Sequence, residues 1–274
     1  MQRVPTVQGV DAELAFEAAQ RVVETHKRLS GFLRAGQTLA EIDRFVGETL
    51  RELGCKSCFL GYRTGGLPPF PSHACLSVND CVVHGTAGYR LEPLVEGDLL
   101  KVDVGVSYKG WIGDAAWTYS FGEPSEEVGR LMRCGKRSIE LGVETLRAGQ
   151  PLMDWAKTVQ GYVEGDCGFH LVRGLGGHGY GRSLHAPPFL SNTVPNFPGE
   201  WGDAGRRWEA GTLIAVEPMI AVGTGEIRQV RKQWPIWSAD GSMTVHYEHD
   251  VLVTEDGPRV LTAGLELVED VIRR

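Results

Sequence analysis

No stretch of the 274-residue chain approaches the roughly 20 apolar residues of a membrane-spanning helix. The opening MQRVPTVQGVDAELAF holds no apolar run of signal-peptide length. A cytoplasmic location, without a membrane partner, is therefore expected. An excess of positive charge is also missing. At a net charge of −7 the chain has no basic footprint for non-specific contact with nucleic acid, and none is expected as a partner. Cysteine is sparse: among Cys55, Cys58, Cys75, Cys81, Cys134 and Cys167, only Cys55 and Cys58 form a CxxC, and no second one completes a four-ligand structural zinc site. The six are read as reduced, mostly buried thiols. What remains is an ordinary globular composition, 42% hydrophobic and 23% charged, in a length that supports a sizeable core.

The stretch LLKVDVGVSYKGWIGDAAW, Leu99 to Trp117, reads as a buried β-hairpin carrying two aspartates. With Tyr108-Lys109 as a two-residue loop, Asp103 falls directly opposite Asp114, their Cβ atoms roughly 5 Å apart; a glycine bulge at Gly110 would shift that register. Like charges facing each other in an apolar hairpin are destabilising, so this placement asks for a compensating cation.

The chain also repeats itself. LRAGQTLAEIDRFVGETLRELGC begins at Leu33, and LRAGQPLMDWAKTVQGYVEGDCG begins 113 positions later at Leu146. Each follows an amphipathic helix, Ala12 to Leu33 or Glu126 to Leu146, breaks at Ala-Gly-Gln and opens a second helix. Thr38 and Glu41 form a capping box in the first copy, and Pro151 suits a first helical position in the second. GDLLKVD at Gly97 and GTLIAVE at Gly211 form a further pair, each a turn glycine followed by a strand that delivers a carboxylate. Two matches in the same order predict an α+β fold of two pseudo-two-fold-related halves, about 11–122 and 123–267. They would share a curved antiparallel sheet with helices outside, in one domain spanning 1–274. The counterpart of Asp114 is then Glu248, on the alternating strand MTVHYEHDVLVT. Four strand carboxylates, Asp103, Asp114, Glu217 and Glu248, are balanced on simple charge count by two divalent cations.

HLVRGLGGHGYGRSLHAPP satisfies GxGxxG at Gly174, Gly176 and Gly179, but Pro187 and Pro188 follow where a dinucleotide site needs a helix. The glycines are better read as letting the backbone pass a crowded site while presenting His178 and His185. One imidazole with four carboxylates favours Mn(II), Fe(II) or Co(II), with zinc as the alternative.

The ordered set Asp103, Asp114, His178, Glu217 and Glu248 resembles the metal ligands of methionine aminopeptidases, which have the pita-bread fold. PSHACLSVNDCVVHG, DVGVSYKGWIGD, GGHGYGRSLH, VEPM and HYEHDVLVT carry the same resemblance, over nearly the whole chain. It implies a hydrolase that removes the initiator methionine of nascent chains, at the ribosome among other places, when the second residue is small. By this resemblance Asp103 chelates one of two divalent metals, His178 and Glu217 bind the other, and Asp114 and Glu248 bridge them. Glu217 shuttles a proton of the attacking water. His84 and His185 contact the scissile amide, and Tyr62, Cys75 and Trp234 line the methionine pocket. Trp237 is an equally visible aromatic, but its spacing to Glu248 is the poorer match.

The short separation of His178 and Glu217 matches the bacterial type 1 form, and a monomer is expected. Because Gln2 is large, the small-residue rule predicts that Met1 stays in place. Two departures stand out: Ala186-Pro187-Pro188 replaces the acidic residues often found there, and FLSNTVPNFPGEWGDAGRRW reads as an extended loop. Two other functions compete, an Xaa-Pro aminopeptidase-like peptidase and a non-enzymatic pita-bread binding protein. The first usually has a large N-terminal domain, and the second typically loses ligands that this chain keeps.

Overall fold

The computed structural model describes residues 3–4 and 9–274; Met1 and Gln2, which bear on retention of the initiator, lie outside them. Helix α1, Ala12–Phe32, and helix α2, Leu39–Glu52, follow the first copy of the repeat. Thr38 caps α2: the Glu41 N–H donates to its hydroxyl and the Thr38 N–H donates to the Glu41 carboxylate at 2.8 Å, a device worth about 1 kcal/mol. Helix α3 spans Glu126–Val143 and helix α4 Met153–Gln160, the latter running into a π-helical turn over Gly161–Asp166. Pro151 is not the first helical residue as its sequence position suggests. It pairs with Arg207 ahead of the helix, and Leu152 becomes an N-cap without a side-chain hydrogen bond.

The strands Leu99–Tyr108 and Trp111–Phe121 form the central hairpin of a five-stranded sheet. Their register differs from the expected one. Tyr108 pairs with Trp111, so Lys109-Gly110 is the loop, both residues having positive φ, as a type I′ turn requires. Asp103 therefore faces Ala116, and Asp114 faces Gly105. The two aspartates are diagonal neighbours on one face rather than direct partners.

A second five-stranded sheet contains Gly176–Gly179, Ala186–Ser191, Leu213–Val216, His249–Thr254 and Gly257–Val260. The MTVHYEHDVLVT segment is two strands, Thr244–His246 and His249–Thr254, interrupted at Tyr247-Glu248. Its partner is interrupted at the same level: Leu213–Val216 and Met219–Ala221 flank Glu217-Pro218. Pairing keeps one register across the gap, with Val216 on His249 and Met219 on His246, which sets Glu217 opposite Glu248.

The central hairpin meets the interrupted strand pair where the Glu248 N–H donates to Ala116 O at 2.9 Å and the Thr118 hydroxyl donates to O of His246, in the strand Thr244–His246, at 2.8 Å. Among the described residues, backbone pairing divides the expected continuous sheet into four pieces, two of five strands and two of three, and Val271–Ile272 runs parallel to Trp111–Phe121. The segment after His185 opens as a strand, and the loop beyond it is anchored by Trp201 and Trp208, both buried. Among the described residues no helix is long and apolar enough to cross a membrane.

Helix α1 packs on the central hairpin through Ala15, Ala18, Ala19, Val22 and Val23. Within this interface His26 is wholly buried. Its Nε2 lies 3.3 Å from Ala115 O, an acceptor only, so Nδ1, at 2.8 Å, accepts the Tyr119 hydroxyl. Burial pushes its pKa down to about 4. A group whose folded pKa lies below its unfolded value binds protons preferentially when unfolded, so its contribution is lost as pH falls from about 6.5 through 4. The loss is on the order of 3 kcal/mol. Urea unfolding of chelated wild type and His26→Gln at pH 7 and pH 4.5 should show the variant losing less stability on acidification. Parallel losses would show that His26 does not titrate with folding.

Candidate metal centre

A cavity of about 390 Å³ opens on the face of the central hairpin that carries Asp103 and Asp114. Its wall brings together Tyr62, Cys75, His84, Asp103, Asp114, His178, His185, Glu217, Trp234 and Glu248, every site residue expected from the sequence. Phe59, Thr64, Phe70 and Leu184 also line it. Trp237 does not; it lies against Tyr89, with ring centroids 6.4 Å apart.

The carboxylates arrive by two routes. Asp103 and Asp114 sit inside continuous strands, and Gly105, across the ladder from Asp114, makes room for it. A Cβ at Gly105 would stand 2.7 Å from Phe59 and 3.2 Å from Asp114 Oδ1. Glu217 and Glu248 sit at the paired strand interruptions, where the ladder opens. His178 comes from Gly176–Gly179 and pairs with Ala215. At Gly177 a Cβ would fall 2.3 Å from Ala215 O, so the expected close backbone passage is real there.

The electrostatics are those of a site that wants cations. Asp114 and Glu248 are buried. Burial, reinforced by the neighbouring carboxylates, holds Asp103, Asp114, Glu217 and Glu248 all well above the usual carboxylate range. Asp103 Oδ1 and Asp114 Oδ1 are buried acceptors without a hydrogen-bond partner, an arrangement that costs free energy unless something else satisfies it. His178 Nδ1 lies 3.1 Å from Gly179 O and must donate to it, which leaves the Nε2 lone pair free, 3.6 Å from Glu217 Oε1 and 3.9 Å from Asp114 Oδ2. Burial pushes this imidazole down to about 3, so it is neutral, as a ligand must be. Oxygen-rich, anionic and unsatisfied, the donor set fits hard divalent cations.

Among the described residues, two groups of side chains have ligand atoms mutually within 4.8 Å: Asp114, His178 and Glu248, and Glu217, His246 and Glu248. Glu248 belongs to both. Asp103 belongs to neither; it lines the cavity beside them. His246 is absent from the sequence-based set. It is buried, with Nε2 3.2 Å from Glu217 Oε2. Its signal was visible in HYEHD, where an alternating strand would point His246 and Glu248 to the same side.

The rest of the wall has two characters. His84, in a left-handed conformation with φ of 58°, packs edge-on to Trp234, ring centroids 6.1 Å apart. Burial and the neighbouring His185 push its pKa down to about 4. Such backbone strain in a non-glycine residue concentrates at functional sites. His185 stands at the exposed rim, its Nδ1 2.7 Å from the Tyr62 hydroxyl and its ring 4.4 Å from that of His178. Farther in, Phe70 meets Trp234 edge-to-face at 5.1 Å, and the indole N–H is spent on Pro68 O at 2.9 Å. The Trp234 ring is therefore left as an apolar wall. Cys75 pairs across the ladder with Asp103, and burial followed by that carboxylate holds its thiol well above the ordinary range, so it is protonated and inert.

Residues 13–255 match the model of metallopeptidase family M24. The chain belongs to this family. It is 36% identical to the methionine aminopeptidase of Clostridium acetobutylicum over 256 residues, 92% of this chain and 96% of that one. It is also 36% identical to methionine aminopeptidase 1 of Mycobacterium tuberculosis over 234 residues, 84% of each. The crystal structure of the Thermotoga maritima methionine aminopeptidase superposes with a TM-score of 0.84 at 32% identity, covering 94% of this chain and 99% of that one. A Bacillus anthracis Xaa-Pro dipeptidase shares the fold at a TM-score of 0.74 and 20% identity, but this chain covers only 64% of it. The M24 chain is thus a metallo-exopeptidase of the pita-bread α+β fold, akin to methionine aminopeptidases along almost its whole length.

Proposed function

We propose that this M24 enzyme, one catalytic domain built from two duplicated halves, removes the initiator methionine from nascent polypeptides in the cytoplasm. It would do so when the second residue is small, by hydrolysis assisted by two divalent ions. The observation that carries the reading is the sharing of Glu248 by two ligand groups, directly beside an aromatic pocket whose polar atoms are already satisfied or protonated.

In this reading Asp103 would hold one ion, His178 and Glu217 would hold the other, and Asp114 and Glu248 would serve both. When bound, the ions supply Lewis-acid polarisation of the scissile carbonyl and make water nucleophilic near neutral pH. Glu217, in the cavity wall, would take the proton of the attacking water and pass it to the leaving amine. His84 and His185, both in the cavity wall, would contact the scissile amide and stabilise the charge that develops on it. His185 is oriented by the Tyr62 hydroxyl. Tyr62, Cys75 and Trp234, with Phe59 and Phe70 behind them, form an apolar pocket that an unbranched thioether fills by bending.

Pocket shape predicts the specificity. One branched methyl costs about 1–3 kcal/mol of discrimination, so Leu-Ala-Ser should be cleaved roughly 10–200-fold less efficiently than Met-Ala-Ser. Met-Glu-Ser should be poor, because the carboxylate cluster and His84 crowd the scissile bond. Steady-state kinetics on these peptides and on Ala-Pro decide the matter. Faster cleavage of Leu-Ala-Ser than of Met-Ala-Ser would overturn the methionine pocket, and a preference for Ala-Pro would favour an Xaa-Pro peptidase.

A further inference from the structure

The five residues assigned above include one imidazole, yet a second stands among them. His246 is 2% exposed, and its Nε2 is buried without a hydrogen-bond partner. That nitrogen is 3.2 Å from Glu217 Oε2, while Glu217 Oε1 is 3.6 Å from His178 Nε2, so Glu217 stands between two imidazoles. A donor N–H at 3.2 Å from a carboxylate would normally bond to it, but here ring and oxygen are not aligned on each other. They are disposed as neighbours around a common point. Metal–donor bonds near 2.1 Å, at angles between octahedral and tetrahedral, put adjacent donor atoms about 3.0–3.4 Å apart. Glu248 supplies the third donor atom of the group, within 4.8 Å of the others.

The backbone is prepared for this role. The His246 N–H donates to Thr118 Oγ1 at 3.0 Å, and the same hydroxyl donates to His246 O at 2.8 Å. The residue is thereby pinned on both sides to the strand that carries Asp114, and its ring is held at the seam between the sheets.

We propose that His246 is a sixth ligand of the metal centre, binding through Nε2 beside Glu217 and Glu248. The inference rests on the metallopeptidase reading of the site. The alternative is a histidine that only hydrogen-bonds to Glu217 and never touches the ion. X-ray absorption spectroscopy of the Co(II)-loaded protein separates the two by counting imidazole ligands per chain. Two are expected in wild type and one in His246→Gln, and Mn(II) titration should show the affinity for one ion falling about tenfold or more in the variant.

One imidazole per chain in wild type, or an unchanged count in His246→Gln, overturns the assignment. So does full retention of Mn(II) affinity by His246→Gln alongside its loss in His246→Ala, because glutamine preserves the hydrogen bond but not the imidazole. The wild-type count decides the question even if neither variant folds. Failure of wild type to bind either metal would instead refute the metal-centre reading on which the proposal stands.

Discussion

Asp114→Ala and Glu248→Ala should each lose Met-Ala-Ser hydrolysis by about 10³-fold or more, since the metal contribution they support is worth several kcal/mol. Each is proposed to hold both ions, so neither loss can be made good by the remaining carboxylates. Asp114 and Glu248 are also the two buried members of the cluster, and Glu248 is shared by both ligand groups. The fold itself should survive. Glu248 joins the sheets through its backbone N–H, which alanine keeps, and the Asp114 N–H donates to Asp250 Oδ2 at 2.8 Å irrespective of its own side chain. Removing one carboxylate from a repulsive buried group leaves the metal-free protein as stable as before, or more so. Turnover under metal-replete conditions and the thermal midpoint with chelator present should therefore move independently. Near-normal turnover by either purified variant would refute the bridging assignment.

His84→Ala and His185→Ala should retain metal and lose turnover by roughly 10²–10³-fold, the usual cost of removing one group that stabilises transition-state charge. Both line the cavity, His84 against Trp234 and His185 at the exposed rim beside Tyr62. They should differ in how the loss appears. His84 is held in strained backbone geometry against Trp234, so its removal should fall mainly on kcat. His185 is exposed and steadied by Tyr62, so Tyr62→Phe should reproduce part of its loss. A folded variant of either histidine that no longer binds metal would make that residue a ligand and redraw the division of roles.

The parts of the fold that were legible in the sequence are those governed by local periodicity. The helices of both repeats, the capping box at Thr38 and the strands carrying the aspartates follow from spacing and turn chemistry. Register was less legible. Lys109 adopts positive φ together with Gly110, and a lysine does not announce that conformation as a glycine does. The hairpin is consequently displaced from the expected pairing, and the two aspartates become diagonal. The interruptions at Glu217-Pro218 and Tyr247-Glu248 were hidden for another reason. Alternation of apolar residues runs straight through MTVHYEHDVLVT, and the break comes from tertiary pairing at the seam with Ala116. Alternation in HYEHD puts His246 beside Glu248, but its contact with Glu217 exists only once the ladder has paired the two strands. Local turn conformation set the register, whereas long-range pairing set the interruptions and the place of His246.

The most direct test of the central claim is metal removal and return, with Met-Ala-Ser as substrate. The chelated enzyme should be inactive, Mn(II), Fe(II) or Co(II) should restore turnover, and the same ion should raise the thermal midpoint of wild type but barely that of Glu248→Ala. Undiminished cleavage of Met-Ala-Ser by protein shown to be free of metal would contradict the claim.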